Sequence, residues 1–257
     1  MRTIITIFLL IIFSISLNAQ NDTIFKIIDS SFSLNFDSFY NSLLEKENPI
    51  FFEDSIYIVR KTCSGEWGGS VWFKNKKTGI EYSCKATCPL AAYKVKGKYY
   101  IINNLNHLAS MGNIIEIDNP KNMEVFKTPK PINKKGKRRF LKRKNKDRVY
   151  YAGDFQSKYL KGVKTILDTI GVSIVASFKK DSSIYVAIQN YDTTSLYKLF
   201  NDELVLIQQL PFIGHYFFDN MIQTKENKTI IFFRKNLEKG FIEIIDNKIS
   251  IYRTINK

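Results

Sequence analysis

Five residues have side chains suited to contacting or transforming a ligand, and all lie in polar segments between apolar runs. They are Glu66, Trp67, His107, Asp154 and Tyr191. Glu66 and Asp154 are of the residue type that glycoside hydrolysis uses in pairs, for acid and base work. The sequence has no serine or cysteine nucleophile motif, no phosphate-binding glycine loop and no HExxH motif. The pattern therefore favours ligand contact over catalysis, and we predict no catalytic residue.

Structural roles are open for the same residues. Trp67 can fill a gap between packed sheets, and His107 can be a hydrogen-bonded structural residue. Gly65, Gly68 and Gly69 can serve only to allow a tight loop with a positive φ angle. These alternatives predict side chains that contact the protein itself and not a ligand.

Three cysteines, Cys63, Cys84 and Cys88, lie close together in the sequence. In an oxidising compartment this number predicts one disulfide and one free thiol. A zinc site would need four Cys or His ligands at short spacings, and the chain has only two histidines. We therefore expect neither a metal nor a cofactor.

Positive charge is concentrated in one segment, residues 134–148, which has ten Lys or Arg residues against one acid. Such a block is usually solvated, but it can also bind lipopolysaccharide, an anionic glycan, nucleic acid or a membrane surface. Phe140 and Leu141, between the charges, could enter a bilayer interface. The candidate polyanion-binding residues are Lys134, Lys135, Lys137, Arg138, Arg139, Lys142, Arg143 and Lys144.

The N-terminus has the pattern of a signal peptide. Arg2 precedes the apolar run of residues 4–17, and Ala19 is a small residue where signal peptidase cleaves. A membrane anchor is the alternative, but the run is shorter than the roughly 20 residues that cross a bilayer. We therefore predict residues 1–19 to be the signal peptide and the mature protein to begin at Gln20. The expected location is the periplasm or outside the cell, with no transmembrane segment in the mature chain.

Four similar segments indicate a repeat, each with apolar strands separated by polar turns. They are residues 54–84, 97–126, 181–210 and 227–255. Their first strands begin near Ile56, Tyr99, Ile184 and Ile230, at steps of about 43, 85 and 46 residues. The long middle step predicts a degenerate unit, with strands at 148–155 and 163–170. Four strands per unit at this period are typical of β-propeller blades, whereas a β-sandwich has no reason to keep a fixed period.

We therefore predict an all-β fold, β-propeller-like, with about five four-stranded antiparallel blades in residues 50–257 and a basic insertion at 133–147. Residues 20–49 form a separate N-terminal segment. Within it, residues 37–46 are predicted to form a short helix capped by Asp37.

Residues 63–120 resemble uncharacterised exported β-propeller-like proteins of Bacteroidetes-type bacteria. The resemblance depends on Cys63, Gly65-Glu66-Trp67-Gly68-Gly69, Cys88-Pro89, Tyr99-Tyr100, Leu105-Asn106-His107-Leu108 and Glu116-Ile117. It implies a propeller-like fold and no known activity, so it adds no catalytic residue.

The blade register makes three further predictions. Loops between second and third strands share one face, which would bring together the five candidate ligand-binding residues. The basic run would occupy the first loop of the third unit, on the opposite face. Cys63 and Cys88 would meet where two blades pack, and the third strand would separate Cys63 from Cys84 by more than a disulfide spans. We therefore predict a Cys63–Cys88 bridge and a free Cys84, with Cys84–Cys88 as the alternative.

The leading functional hypothesis is an exported binding or scaffold module that recognises a ligand, a glycan or a protein, through loops on one face. The first alternative is adhesion to a polyanion or surface through residues 134–148. The second is a glycan-active enzyme that uses Glu66 or Asp154.

Overall fold

The structure is a computed structural model. It describes residues 25–32, 35–44, 51–63, 68–107, 109–127, 156–214, 216–223 and 228–254. The predicted signal peptide and basic run lie outside these residues, as do Glu66, Trp67 and Asp154. His107 ends a described strand, but its side chain is not described.

The described chain is all-β apart from one α-helix, α1 (Phe36–Leu44), and a short 3-10 turn at Pro120–Asn122. The strands are β1 (Lys26–Phe32), β2 (Phe52–Glu53), β3 (Tyr57–Cys63), β4 (Gly69–Asn75), β5 (Glu81–Lys85), β6 (Pro89–Val95), β7 (Lys98–His107), β8 (Ala109–Ile117), β9 (Glu124–Val125), β10 (Lys164–Ile170), β11 (Ser173–Lys180), β12 (Ser183–Gln189), β13 (Thr193–Phe200), β14 (Glu203–Ile213), β15 (Phe217–Gln223), β16 (Thr229–Lys235), β17 (Glu238–Ile245) and β18 (Lys248–Thr254).

These strands form four sheets in the described chain. The first has the order β2-β3-β4-β5-β9, the second β10-β8-β7-β6, the third β11-β12-β13-β14 and the fourth β1-β18-β17-β16-β15. Neighbouring strands are antiparallel, except that β1 runs parallel to β18. The all-β prediction is therefore confirmed, and the sheets of the described chain have four or five strands each.

Of the degenerate unit expected between the second and third repeats, the predicted strand at 148–155 lies outside the described residues. The unit's predicted strand at 163–170 is β10, which pairs with β8 and completes the second sheet. The predicted third strand of the second repeat is β9, which pairs instead with β5 of the first sheet. The prediction assumed that strands close in sequence belong to the same sheet. The long connection between β9 and β10 allows β10 to pair with β8, although β9 belongs to the first sheet.

The tight turns follow the predicted chemistry. Asn201 and Asp202 both have positive φ angles, 48° and 66°, in the β13–β14 turn. Asp246 has a φ of 50° in the β17–β18 turn. Asn and Asp tolerate this left-handed conformation better than other side chains do, which is why they mark two-residue hairpin turns.

Successive sheets pack face to face through alternating side chains. On β7, Ile101 packs toward the first sheet and Ile102 toward the third, and both are fully buried. On β16, Ile231 packs toward the third sheet while Phe232 is on the opposite face. Because adjacent side chains of a strand point to opposite faces, near-continuous apolar strands indicate sheets covered on both sides.

Helix α1 covers the outer face of the fourth sheet. Phe36, Phe39 and Tyr40 contact the ring of Phe232, with centroid distances of 5.8, 6.2 and 4.7 Å. The predicted cap is corrected: the side chain of Asn35 accepts a hydrogen bond from the Ser38 amide at 3.1 Å, whereas Asp37 lies inside the helix. The Asn35 side-chain oxygen thus accepts a hydrogen bond from one of the backbone amides that have no partner within the helix at its N-terminus.

The outer face of the first sheet is covered by chain that flanks the basic run. Phe126, just after β9, packs edge-on against buried Trp72 at 5.8 Å, and the Arg60 guanidinium lies 4.3 Å from the centre of the Trp72 ring. On the other side of the run, the Ser157 amide donates to Ser70 Oγ at 2.7 Å. The segment containing the basic run therefore connects β9 of the first sheet to β10 of the second, and its predicted position in a third unit lies outside the described residues.

Candidate functional site

The connections between strands fall into two groups, at opposite ends of the antiparallel strands. The loop end comprises the β3–β4, β7–β8, β12–β13 and β16–β17 connections together with the links between sheets. The turn end comprises the remaining hairpin turns. At the loop end, the Gly171 amide donates to Ser110 O at 2.7 Å and the Gly214 amide donates to Asp192 O at 2.7 Å. These bonds hold each link between sheets beside the neighbouring loop.

A buried amide also joins the third and fourth sheets at the loop end. With its side-chain amide assigned in the orientation that satisfies both partners, Gln189, at the end of β12, donates to Tyr216 O at 2.8 Å and accepts from the Tyr216 amide at 3.1 Å. Both backbone groups of Tyr216 are thus satisfied by one side chain. This contact could not be predicted from residue type, because a glutamine at a strand end is ordinarily solvated.

The disulfide lies at the loop end and joins the first two sheets. Cys63 is bonded to Cys88, with Cα atoms 4.2 Å apart, so the predicted pairing is confirmed. Cys84 is free and buried, and its burial raises the pKa of the thiol to about 12. The bridge fixes the end of β3 against the start of β6, beside the loop that contains Glu66 and Trp67.

The glycines of this loop have different roles. Gly68 has a φ of 92°, as expected for a residue that permits a tight loop. Gly69 has no positive φ, but a Cβ atom there would lie 2.7 Å from Ala86 O and even closer to Thr62 O. Gly69 is therefore required by the close approach of neighbouring strands.

Polar groups continue from the disulfide into the second sheet. Asn103 is almost fully buried, and its Nδ2 donates to Asn113 Oδ1 at 2.9 Å. Asn113 Nδ2 in turn donates to Leu167 O at 2.9 Å. Within the described chain, Asn103 Oδ1 accepts no hydrogen bond. These asparagines were not predicted to be functional, because both lie within strands and not in loops.

Tyr191 is the one predicted ligand-binding residue whose side chain the structure describes, and it is 84% exposed in the β12–β13 loop. Three other large apolar side chains of the loop end are comparably exposed: Ile170 and Ile213 at 77% and Leu237 at 80%. No other large apolar side chain in the described residues exceeds 60%. We call these four residues the apolar crown.

Hydrogen bonds between loops connect three members of the crown. Asp192, next to Tyr191, accepts from Gly214, which follows Ile213. Lys235 Nζ donates to Ile213 O at 2.7 Å, and Leu237 lies in the turn that begins after Lys235. The exposed side chains of the third and fourth sheets are thus held beside one another on tied loops.

The turn end contains a cavity of about 490 Å³, which is lined by residues from all four sheets. Its walls include Phe52, Tyr93, Phe178 and four lysines: Lys94, Lys179, Lys180 and Lys228. Asp181 and Asp246 lie at its exposed edge. This cavity was not predicted, because its residues come from segments far apart in the chain.

A hydrogen-bonded carboxylate stabilises one wall of the cavity. Asp54 Oδ2 accepts from Lys94 Nζ at 2.6 Å and from Tyr99 Oη at 2.7 Å, and Asp54 Oδ1 accepts from the amides of Ile56 and Tyr57. Burial opposes the ionisation of Asp54, but these four donors outweigh it and hold the pKa well below its usual range. Burial and the bond to Asp54 raise the pKa of Tyr99 to about 12.

Comparison with protein-family models and with curated proteins gives no match. In the residues that the structure describes, no three His, Cys, Asp or Glu side chains are grouped so that they could hold a metal ion. The described helix is too short to cross a membrane.

Proposed function

We propose that this protein is an exported binding module, that its sheets are the blades of a β-propeller-like ring, and that the loop end recognises its ligand. The face-to-face packing of successive sheets supports the propeller-like arrangement, and the disulfide is compatible with an oxidising compartment. The candidate ligands are a glycan or a protein segment.

The observation that carries the proposal is the apolar crown. Single exposed apolar residues are normal on a protein surface, but their concentration at one end is typical of an interaction site. Burying one such side chain against a ligand contributes about 1.5–3 kcal/mol. Tyrosine is in addition enriched at binding hot spots, because a large rigid ring loses little conformational entropy on binding.

Glycan and peptide arrays test the proposal with the chain beginning at Gln20. The double variant Tyr191→Ser/Leu237→Ser removes two members of the crown, and both side chains are too exposed to be needed for folding. The control is Phe200→Ser/Leu206→Ser, which removes apolar side chains that are 56% and 58% exposed away from the loop end.

We expect the crown variant to lose array signal by about tenfold or more and the control to keep it. An equal loss in both variants, or an unchanged signal in the crown variant, would refute recognition by the loop end. Absence of any array signal from the unaltered chain would refute the glycan and peptide classes as ligands.

The charge of residues 134–148 favours a second function, binding to polyanions. Described chain on both sides of the segment is anchored on the first sheet, through Phe126 on Trp72 and Ser157 on Ser70. Deletion of residues 134–146 should therefore leave the fold intact and abolish retention on heparin at moderate salt. Unchanged retention would refute polyanion binding, and an unfolded deletion variant would refute the insertion.

A further inference from the structure

The cavity at the turn end has the size and lining of a small-molecule site. Its volume of about 490 Å³ falls within the range of roughly 300–1,000 Å³ that such sites occupy. Tyr93 and Phe178 are almost fully buried and provide an aromatic wall. Tyr93 Oη is hydrogen-bonded to Ser177 Oγ at 3.0 Å, which joins the second and third sheets beneath the cavity. The lining is therefore fixed before any ligand arrives.

Internal ion pairs already neutralise two of the four lysines. Lys94 is paired with Asp54, and Lys228 is paired with Glu243. Both pairs are partly buried, with side-chain exposures of 31% and 14% for the first pair and 29% and 19% for the second. Their charges are compensated within the protein, so they do not by themselves attract an anion.

Lys179 and Lys180 differ, because neither has a carboxylate partner in the described chain. Lys179 Nζ donates to the backbone oxygen of Lys94 at 3.1 Å, which leaves two of its N–H groups for other acceptors. Lys180 Nζ lies 5.6 Å from the centre of the Phe25 ring. Two lysines at the end of β11, whose ammonium groups have neutral partners on opposite faces of the strand, thus line the same cavity.

The presence of Asp181 and Asp246 at the edge of the cavity is explained by their backbone conformation. Both residues lie in hairpin turns with φ angles of 53° and 50°, and this left-handed conformation favours Asp, Asn and Gly. Both residues are exposed to solvent, where water screens their charges. Turn geometry gives no comparable reason for two adjacent lysines at the end of β11.

We propose that this cavity binds a small ligand with a carboxylate, sulfate or phosphate group, which Lys179 and Lys180 hold while Tyr93 and Phe178 contact its less polar part. The anionic oxygens of the ligand accept hydrogen bonds from the ammonium groups. Charge-assisted hydrogen bonds of this kind are stronger than hydrogen bonds between neutral groups. This site is independent of the apolar crown, because it lies at the opposite end of the sheets.

Isothermal titration calorimetry of the chain beginning at Gln20 tests the site with sodium sulfate, sodium phosphate, glucuronate and glucose. The variant Lys179→Gln/Lys180→Gln removes the proposed contacts. Lys77→Gln/Lys121→Gln is the matched control, since it removes the same charge from exposed lysines outside the cavity lining. Circular dichroism of each variant verifies the fold.

We expect at least one anion to bind and glucose not to bind. The anion that binds distinguishes an inorganic ion from the carboxylate of an acidic sugar. Affinity should fall by at least about tenfold in the Lys179/Lys180 variant and by less than about twofold in the control. Tyr191→Ser/Leu237→Ser should leave the affinity unchanged, which separates this site from the proposed loop-end function. Equal losses in both lysine variants, binding of glucose, or no binding of any anion would overturn the proposal.

Discussion

Asp54→Asn should destabilise the protein, because one carboxylate joins the β2–β3 turn to the second sheet. An asparagine keeps an oxygen for the turn amides of Ile56 and Tyr57 but places an NH₂ group against two donors, Lys94 Nζ and Tyr99 Oη. Two charge-assisted hydrogen bonds are lost, each contributing about 1.5–3 kcal/mol. Lys94 is 31% exposed and regains water, so we expect the lower end of that sum, about 3 kcal/mol.

The assay is urea unfolding followed by tryptophan fluorescence, for which fully buried Trp72 is a reporter. Glu53→Gln is the control, because Glu53 is the adjacent residue and forms an exposed pair with Lys76 at 2.5 Å. Exposed pairs contribute little, so the control should change the free energy of unfolding by less than about 1 kcal/mol.

The pH dependence gives an independent check. The pKa of Asp54 is lower in the folded protein than in the unfolded chain, where it is near 3.8. Its stabilising contribution is therefore complete above about pH 4 and is lost as the pH falls through the lower folded-state pKa. The difference between the unaltered protein and Asp54→Asn should shrink in the same window. A variant as stable as Glu53→Gln, or a difference that persists unchanged at low pH, would refute the reasoning.

Three further predictions follow from the covalent and packing geometry. Cys63→Ser/Cys88→Ser should lower the free energy of unfolding by about 3.5 kcal/mol in urea titration, because the bridge closes a loop of 25 residues; no change would contradict this account. Cys84 should not react with Ellman's reagent in the folded protein and should react fully in guanidinium, since its thiol is buried and its pKa is raised to about 12; rapid labelling of native protein would show that the thiol is accessible. Gly240→Ala should destabilise the protein by about 1–3 kcal/mol, because the added Cβ would collide with Tyr252 O on the next strand; a thermal midpoint equal to that of the unaltered protein would contradict the contact.

Local sequence determined the strands, the turns and the disulfide. Strands could be located because apolar runs are bounded by residues such as Asn201 and Asp202, whose turn conformation the sequence chemistry favours. The Cys63–Cys88 pairing followed from strand order within one repeat, since a strand between Cys63 and Cys84 sets their separation. These inferences depend on hydrogen bonding between strands that are neighbours in sequence. The spacing of residues along the chain determines that geometry.

Of the predicted ligand-binding residues, the structure describes the side chain of Tyr191 and finds it exposed. The other members of the apolar crown were not predicted. Their residue types are those of buried strands, and only the position of a strand end relative to the packed faces decides whether such a side chain is covered. Exposure is a property of the assembled sheets and has no signature in the residue type.

The sheet that each distant strand joins depends on tertiary packing. Strand β9 pairs with the first sheet, β10 completes the second, and β1 runs beside β18 from the opposite end of the chain. The contact of Asp54 with Lys94 and the cavity that this contact borders have the same origin. In these cases the pairing of strands and side chains depends on which apolar faces of the sheets bury one another. That arrangement involves all the sheets and cannot be derived from residue spacing within any one segment.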